Sequence, residues 1–466
     1  MIRSISTANK ETQSGHMVNS DRSSYVYMIA IAAAASGFLF GFDTAVINGA
    51  LLFLRQEFHL TDLQTELAVS SLLVGCLIGT IGSGALSDRF GRKRVLLAAG
   101  GLFGASSLVT ALPHVFCQFV AARFVAGVAI GIASVLAPMY VAEVSPSRIR
   151  GKLVSFNQIA IATGVLCAFL TNWALSGIGK SSWRFMFAVA ALPSCAFLLS
   201  LIFIPESPRW LIKAGHPKKA LEVLWKINGP LAEVEADEIR SGLAEESQSL
   251  HNMLTPQLRR PLLIAITLAV LSQITGINTV IYYGSILLRD HGGQNNASSA
   301  IGANVIVGIV SFLAAILAAA IIDRVGRKAL LLVGSAGMTL SLGLLGAALR
   351  VTPPPTSLIL LGVLFYVAFF GMGLGPVTWV YIAELFPTAI RGRAMSAATV
   401  SLWAACLAIA LSFLALIQLL SASGTFWLYA ALSAATFIFV WRFLPETMGL
   451  SLEEVQQMFR HLTDEQ

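Results

Sequence analysis

Charge is scarce in this chain. Of its 466 residues only 12% are Asp, Glu, Lys or Arg, about half the share of a soluble domain, which excludes an ordinary water-soluble globule. Cysteine is scarce as well. The five thiols, Cys76, Cys117, Cys167, Cys195 and Cys406, lie in or at the ends of apolar stretches with no CxxC spacing, so they read as small apolar core residues rather than disulfides or metal ligands. No phosphate-cradling loop, metal cluster or nucleophile motif is found, and an enzyme is not expected. Residues 1–24 are polar and precede the first apolar run, unlike the layout of a cleavable signal peptide. They are expected to form a disordered tail.

What the chain has instead is apolar length. Hydrophobic residues make up 56% of it. Runs of about 20, enough to cross a bilayer as a helix, begin near Tyr25, Ala68, Val95, Phe116, Leu153 and Phe185, and after a polar interval near Leu262, Ala300, Ala329, Leu358, Ala394 and Thr425. The expectation is an all-α membrane protein of twelve transmembrane helices embedded in a lipid bilayer. Basic residues set its orientation. The loops after runs two, four, eight and ten, SDRFGRKR, SPSRIRGK, DRVGRK and FPTAIRGR, carry four, three, three and two Lys or Arg, whereas the opposite loops hold scattered ones such as Arg55, Lys180 and Arg350. The positive-inside rule therefore puts the rich loops and both termini in the cytoplasm. The net charge of +7 follows from this topology and implies no nucleic-acid partner.

The sequence repeats itself. DRFGRK from Asp88 returns as DRVGRK from Asp323, EVSPSRIRG from Glu143 as ELFPTAIRG from Glu384, and PES from Pro205 as PET from Pro445, at spacings of 235, 241 and 240 residues. Two parallel six-helix halves are implied, 25–205 and 261–445, an arrangement of secondary transporters that rock one half against the other around a midplane site. Between them 206–260 is charged and helically patterned, as in HPKKALEVLWKING, and reads as short amphipathic cytoplasmic helices. Residues 446–466 form a second tail.

The repeated strings combine acids with bases. Asp88, Arg89 and Arg92 in one half, and Asp323, Arg324 and Arg327 in the other, sit at helix ends; Glu143 with Arg150 and Glu384 with Arg391 follow, and Glu206, Arg209 and Glu446 complete the set. Orientation needs only the bases. The recurrence of acid with base points to pairing between neighbouring helices that holds an inner gate shut while the outside is open; the plainer reading is that these charges only fix topology.

One acid sits where lipid makes it expensive. The stretch GFLFGFDTAVIN, residues 37–48, puts Asp43 near the middle of the first apolar run, at roughly 2.5–3.5 kcal/mol unless it faces a cavity or a partner. The candidate partner is Arg123, the only basic residue inside the fourth run. Burial favours a neutral carboxyl and a nearby cation favours a charged one, so motion between two surroundings loads and unloads a proton. The other reading is a static pair tying two helices together, which desolvation makes weak evidence for stability.

The seventh run holds Ser272, Gln273, Asn278, Tyr282 and Tyr283. Amides and hydroxyls that donate and accept, beside aromatic planes, are what a sugar's hydroxyls and ring face need. Five residues apart, Gln273 and Asn278 project about 140° from one another on an ideal helix. They line one cavity only if the helix bends or breaks, and Gly276 lies between them. Asn157 and Gln158 in the fifth run and Trp379, just after Gly375-Pro376, add to the set. The alternative for all of them is interhelical hydrogen bonding, about 0.6 kcal/mol each on average in membranes.

From the first run to Glu446 the chain resembles the sugar porter family of the major facilitator superfamily. DRFGRK and DRVGRK mark the superfamily; PESPRW at 205–210, QITGINTVIYY at 273–283, GPVTW at 375–379 and PET at 445–447 carry the closer resemblance. It implies a major facilitator fold, sugar contacts from Gln158, Gln273, Asn278 and Trp379 with Ser272 and Tyr283 beside them, and an Asp43 where proton-coupled members carry an aspartate, near Arg123. Where many members have a further amide or polar group this chain has Ser272, Val165, Ser311 and Leu402, which makes its site less polar.

The expected function is proton-coupled symport of a monosaccharide, hexose or pentose, across the cell membrane by alternating access. The proton is the coupling ion, with no cofactor and no metal, and a monomer is the working unit. A passive facilitator on the same fold, a non-transporting sugar sensor and a drug or metabolite exporter are the alternatives. A sensor is expected to carry a long signalling extension where this chain has about twenty residues after Pro445, and PESPRW with the seventh-run pattern argues against the exporter.

Overall fold

A computed structural model describes the backbone of residues 2–145, 150–249, 256–290, 297–352, 355–386 and 388–449 with positions 454 and 458; side chains are described from Tyr25 on, except at 150–155, 244–249, 256–257, 388–389 and 391. A backbone in hydrocarbon must satisfy its own N–H and C=O groups, and helices do so within each segment. The first half comprises α1 (Ile2–Glu57), α2 (Asp62–Phe90), α3 (Arg92–Thr110), α4 (Phe116–Val144) and α5 (Arg150–Leu175), then a sixth crossing made of α6 (Ser182–Val189) and α7 (Ala191–Phe203). Three short helices follow, α8 (Pro208–Lys213), α9 (Pro217–Asn228) and α10 (Ala232–Ser249), with Leu224, Ala232 and Ala236 as their own small core. In the second half the seventh crossing is α11 (Pro256–Ile274) with α12 (Ile277–Asp290), followed by α13 (Ala297–Val325) and α14 (Arg327–Ala348). The tenth is α15 (Thr356–Met372) with α16 (Leu374–Glu384), and α17 (Thr388–Phe443) contains the last two, parted at Ser421, where φ is 65°.

Ten helices qualify as spans by length and hydropathy, among them Gly392–Phe443, which holds two crossings. With α3, which opens on Arg92-Lys93-Arg94, the crossings number twelve, six on each side of the short helices. The backbone of α1 is helical back to Ile2, where the sequence suggests disorder; no proline before Tyr25 interrupts its hydrogen bonding. Its side chains before Tyr25 lie outside the described residues.

Small residues decide how closely the helices pack. Gly75 and Gly79 on α2 face Gly127 and Gly131 on α4, and a methyl group at any of the four would strike a backbone carbonyl of the other helix. Two GxxxG strings thus lock α2 to α4, as small residues do where lipid supplies no hydrophobic drive for helix association. Within the first half α1 packs on α4 and α5, and within the second α14 and α11 pack on α17. The halves meet along α5 with α13, α2 with α17, and α1 with α12.

Candidate functional site

The repeated strings build the same clamp twice, at the end of the bundle where both DRxGRK loops lie. In the first half the Glu206 carboxylate accepts the backbone N–H of Arg92 (2.9 Å), Lys93 (3.0 Å) and Ser207 (2.9 Å), capping the start of α3, where negative charge also meets the positive end of the helix. In the second half Glu446 accepts from Arg327 and Lys328, both at 2.9 Å, at the start of α14, and from Thr447 and Met448 at 3.0 Å. The glycine of DRxGRK has a φ of 95° at Gly91 and 94° at Gly326 and lies against that glutamate. A side chain there would be strained and would displace the cap.

Glu143 pairs with Arg92 at 3.0 Å and Glu384 with Arg327 at 2.9 Å. The serine of PES and the threonine of PET donate to these same glutamates, Ser207 to Glu143 and Thr447 to Glu384. Asp88 joins Arg92 and Lys213, and Asp323 joins Arg327. The arginine pairs therefore bind helices within one half, and Lys213 ties α8 to the first half. The sequence-near partners, Arg150 and Arg391, have side chains outside the described residues. Arg89 lies 5.2 Å from the Phe90 ring, Arg324 is exposed, and Arg209 is half-buried at the start of α8.

At mid-depth Asp43 and Arg123 form the pair anticipated from the sequence. One guanidinium nitrogen, Nη1, reaches both carboxylate oxygens at 2.8 Å, and both residues are 1% exposed. Among the described residues the Arg123 Nε has no hydrogen-bond partner, and the guanidinium lies 5.1 Å from the centre of the Phe187 ring. The acid thus ties α1 to α4 through a pair of buried side chains.

The seventh crossing breaks where Gly276 stands. α11 ends at Ile274, Gly276 takes a φ of 88°, and α12 resumes at Ile277. The break turns Asn278 back onto Gln273, donating to its carbonyl oxygen at 2.8 Å, while the Gln273 amide donates to Ser272 at 2.9 Å. Cys406 of α17 lies 3.2 Å from both Gln273 and Asn278. Near it Trp403 is 2% exposed, its indole N–H has no partner among the described residues, and its ring meets Phe40 of α1 edge-on at 5.3 Å. Gln158 and Trp379 are half-buried on the neighbouring helices α5 and α16 and make no hydrogen bond among the described residues.

Tyr283, further along α12, is fully buried, donates to the Ala410 carbonyl at 3.0 Å and stacks on Phe413. Cys406 and Trp403 are the residues that sequence reasoning passes over: neither amide nor charge flags them, and only their spacing of one helical turn could have. Among the described residues no cluster of metal-ligating side chains occurs.

The two halves also meet through polar groups toward the end away from the DRxGRK loops. Asn48 of α1 donates to the carbonyls of Val280 (3.3 Å) and Ile281 (2.8 Å) and accepts from the Ser285 N–H and hydroxyl. Nearer that end Ser176 meets Ser298 at 3.0 Å, and Gln418 donates to Asp62 at 2.7 Å. Along the chain Gly41, Asp43, Thr44 and Gly49 recur as Gly276, Asn278, Thr279 and Gly284, the 235-residue offset of the DRxGRK loops.

Comparison with known proteins bears on all of this. The family model described as sugar (and other) transporter matches residues 29–459. The chain is 37% identical over 443 residues to the arabinose-proton symporter of Bacillus subtilis (strain 168), covering 93% of this chain and 95% of that one. It is 35% identical over 476 residues to the D-xylose-proton symporter of Escherichia coli (strain K12), covering 94% and 96%. Among solved structures, the major facilitator superfamily proton:xylose symporter XylE bound to 6-bromo-6-deoxy-D-glucose superposes with a TM-score of 0.83 at 34% identity, over 94% of this chain and 100% of that one. A partially occluded inward-open form of XylE from E. coli gives 0.82 at 33% identity, over 92% and 100%.

Proposed function

The chain belongs to the sugar transporter family of the major facilitator superfamily, and from that premise we propose that it carries a monosaccharide, a hexose or a pentose, together with a proton by alternating access. The observation that carries this reading is the Asp43–Arg123 pair, 1% exposed on both sides. With both side chains buried, each group governs the charge of the other. Protonation of Asp43 removes the attraction joining α1 to α4. The same α1 carries Phe40 against Trp403 and Asn48 against α12, so release at Asp43 is transmitted both to the sugar site and to the contact between halves. Each inward proton supplies about 2.3 kcal/mol per 100 mV of membrane potential. The relatives named as arabinose-proton and D-xylose-proton symporters support the same reading.

Sugar contact is assigned to Gln273 and Asn278, together with Gln158 of α5 and Trp379 of α16, and Ser272 orients the Gln273 amide. Tyr283 braces the eleventh crossing. The basic loops are assigned to the cytoplasmic face of the cell membrane, with both termini inside. The contacts of Asn48, Ser176 and Gln418 then close the outer end, while the acid–base clamps hold helices together within each half at the inner end. The cargo is moved unchanged, with no catalytic step, no cofactor beyond the coupling proton, and a single chain as the unit.

The test uses purified protein in liposomes. Under an inward proton gradient the wild type accumulates labelled hexose or pentose above equilibrium, whereas Asp43→Asn loses accumulation and keeps sugar exchange at equal pH. A wild type that exchanges sugar yet never accumulates it overturns coupling in favour of passive transport.

A further inference from the structure

Glu66 is a buried acid that neither the sugar site nor the proton pair uses. It lies on α2 one turn in from Asp62 and is 4% exposed. Its Oε1 accepts the backbone N–H of Leu414 at 2.9 Å and of Ala415 at 3.3 Å, both on α17 in the other half. An N–H in the interior of a helix ordinarily serves the carbonyl four residues back, which for Leu414 belongs to Ala410. That carbonyl accepts the Tyr283 hydroxyl at 3.0 Å. One carbonyl and N–H pair of the eleventh crossing therefore takes outside partners at both ends, Tyr283 from its own half and Glu66 from the opposite half. Cys406, one turn before Ala410, touches Gln273 and Asn278. Hydrogen bonds and helix backbone thus lead from the sugar amides to an acid across the interface.

We propose that Glu66 is the latch of the outer gate: it holds α2 against the eleventh crossing at Leu414 and Ala415 while the outside is closed, and release of this contact is a step in opening outward. The inference rests on the alternating-access reading above. The rim contact nearer the water is a weaker fastening. Arg55, Asp62 and Gln418 bond at 2.7 Å, but the Asp62 and Arg55 side chains are 41% and 25% exposed, where water competes and salt screens. Both N–H bonds converge on one oxygen of Glu66, so an amide oxygen at that place accepts them as well, and a methyl group cannot.

Ile417 reports on the latch, because it lines a cleft of about 190 Å³ over it, between Asp62 on one wall and Phe413 and Gln418 on the other. An Ile417→Cys reporter is made in a Cys117→Ser, Cys195→Ser background, since Cys117 and Cys195 are exposed, and is labelled in intact expressing cells with a membrane-impermeant maleimide. Glu66→Ala is expected to speed labelling by at least about tenfold, the population shift from losing the two N–H bonds to Glu66, and Glu66→Gln to stay within about threefold of its parent. Equal rates for Glu66→Ala and its parent overturn the latch, as does equal acceleration by Gln and Ala. Sugar exchange at equal pH is measured on each purified variant. Exchange by the reporter parent keeps the transport reading standing whatever Glu66 does, and its absence in wild type sinks that reading separately.

Discussion

The bond from Asn278 to Gln273 is a direct place to ask what one side chain contributes. Gln273→Ala leaves the Asn278 amide with only a sulfur neighbour and removes one donor and one acceptor from the site. Sugar affinity is expected to fall about 10- to 100-fold, the loss of one or two hydrogen bonds to a buried polar ligand, measured by titration of purified protein. Cys406→Ala is expected to weaken binding by no more than about threefold, since a thiol is a weak partner. The pair Asp43–Arg123 was legible in the sequence because charge inside an apolar run is rare, which leaves few candidates to join. Glu143 was harder: Arg150 is near it in the chain, yet Arg92, fifty-one residues away, reaches it in space. Trp403 and Cys406 carry no such signal, because an indole and a thiol in an apolar helix look like packing until the fold places Cys406 beside the amides and Trp403 against Phe40.

Helix ends hold much of the scaffold's hydrogen bonding. Glu446→Ala leaves four backbone N–H groups without their carboxylate and is expected to destabilise the protein by about 1–3 kcal/mol, read as a lower thermal midpoint in detergent. Glu206→Ala is expected to do the same, and the Gln variants of both to lose less. Bulk at the α2–α4 seam acts on a different quantity: Gly127→Leu drives a side chain into the Leu72 carbonyl and is expected to abolish recovery of folded protein, as judged by gel filtration. At this scale the twelve crossings follow from apolar length, and the break at Gly276 from two polar residues that must share a cavity. The break at Ala190 does not announce itself, whereas the parting at Ser421 falls just before Thr425, where the twelfth apolar run was expected to begin. Pro193, three residues past Ala190, is compatible with the first turn of a new helix, and Ser421 takes a φ that its residue type rarely adopts.

Two halves joined by a polar linker make a separable machine. A cut placed within residues 250–255 is expected to leave the halves associated, because α5 with α13, α2 with α17 and α1 with α12 hold them without the linker. Tagged halves expressed together should co-purify and still exchange sugar; recovery of one half alone would contradict that view of the interface. The duplication was visible from three short strings, whereas which residues meet across the interface was not, since Asn48 and Glu66 bond to backbone groups and no side-chain pattern records a backbone partner. The 235-residue echo of Gly41, Asp43 and Thr44 in Gly276, Asn278 and Thr279 has its own consequence. Carboxylate and carboxamide share a shape and differ in whether they can lose a proton, so at one register the twin halves carry an isosteric exchange, and under the function proposed above one holds the ion's station and the other the solute's. Asp43→Asn is then more than a lesion: it restores the twins to likeness, and a carrier of matched amides is one to which the proton gradient has become invisible.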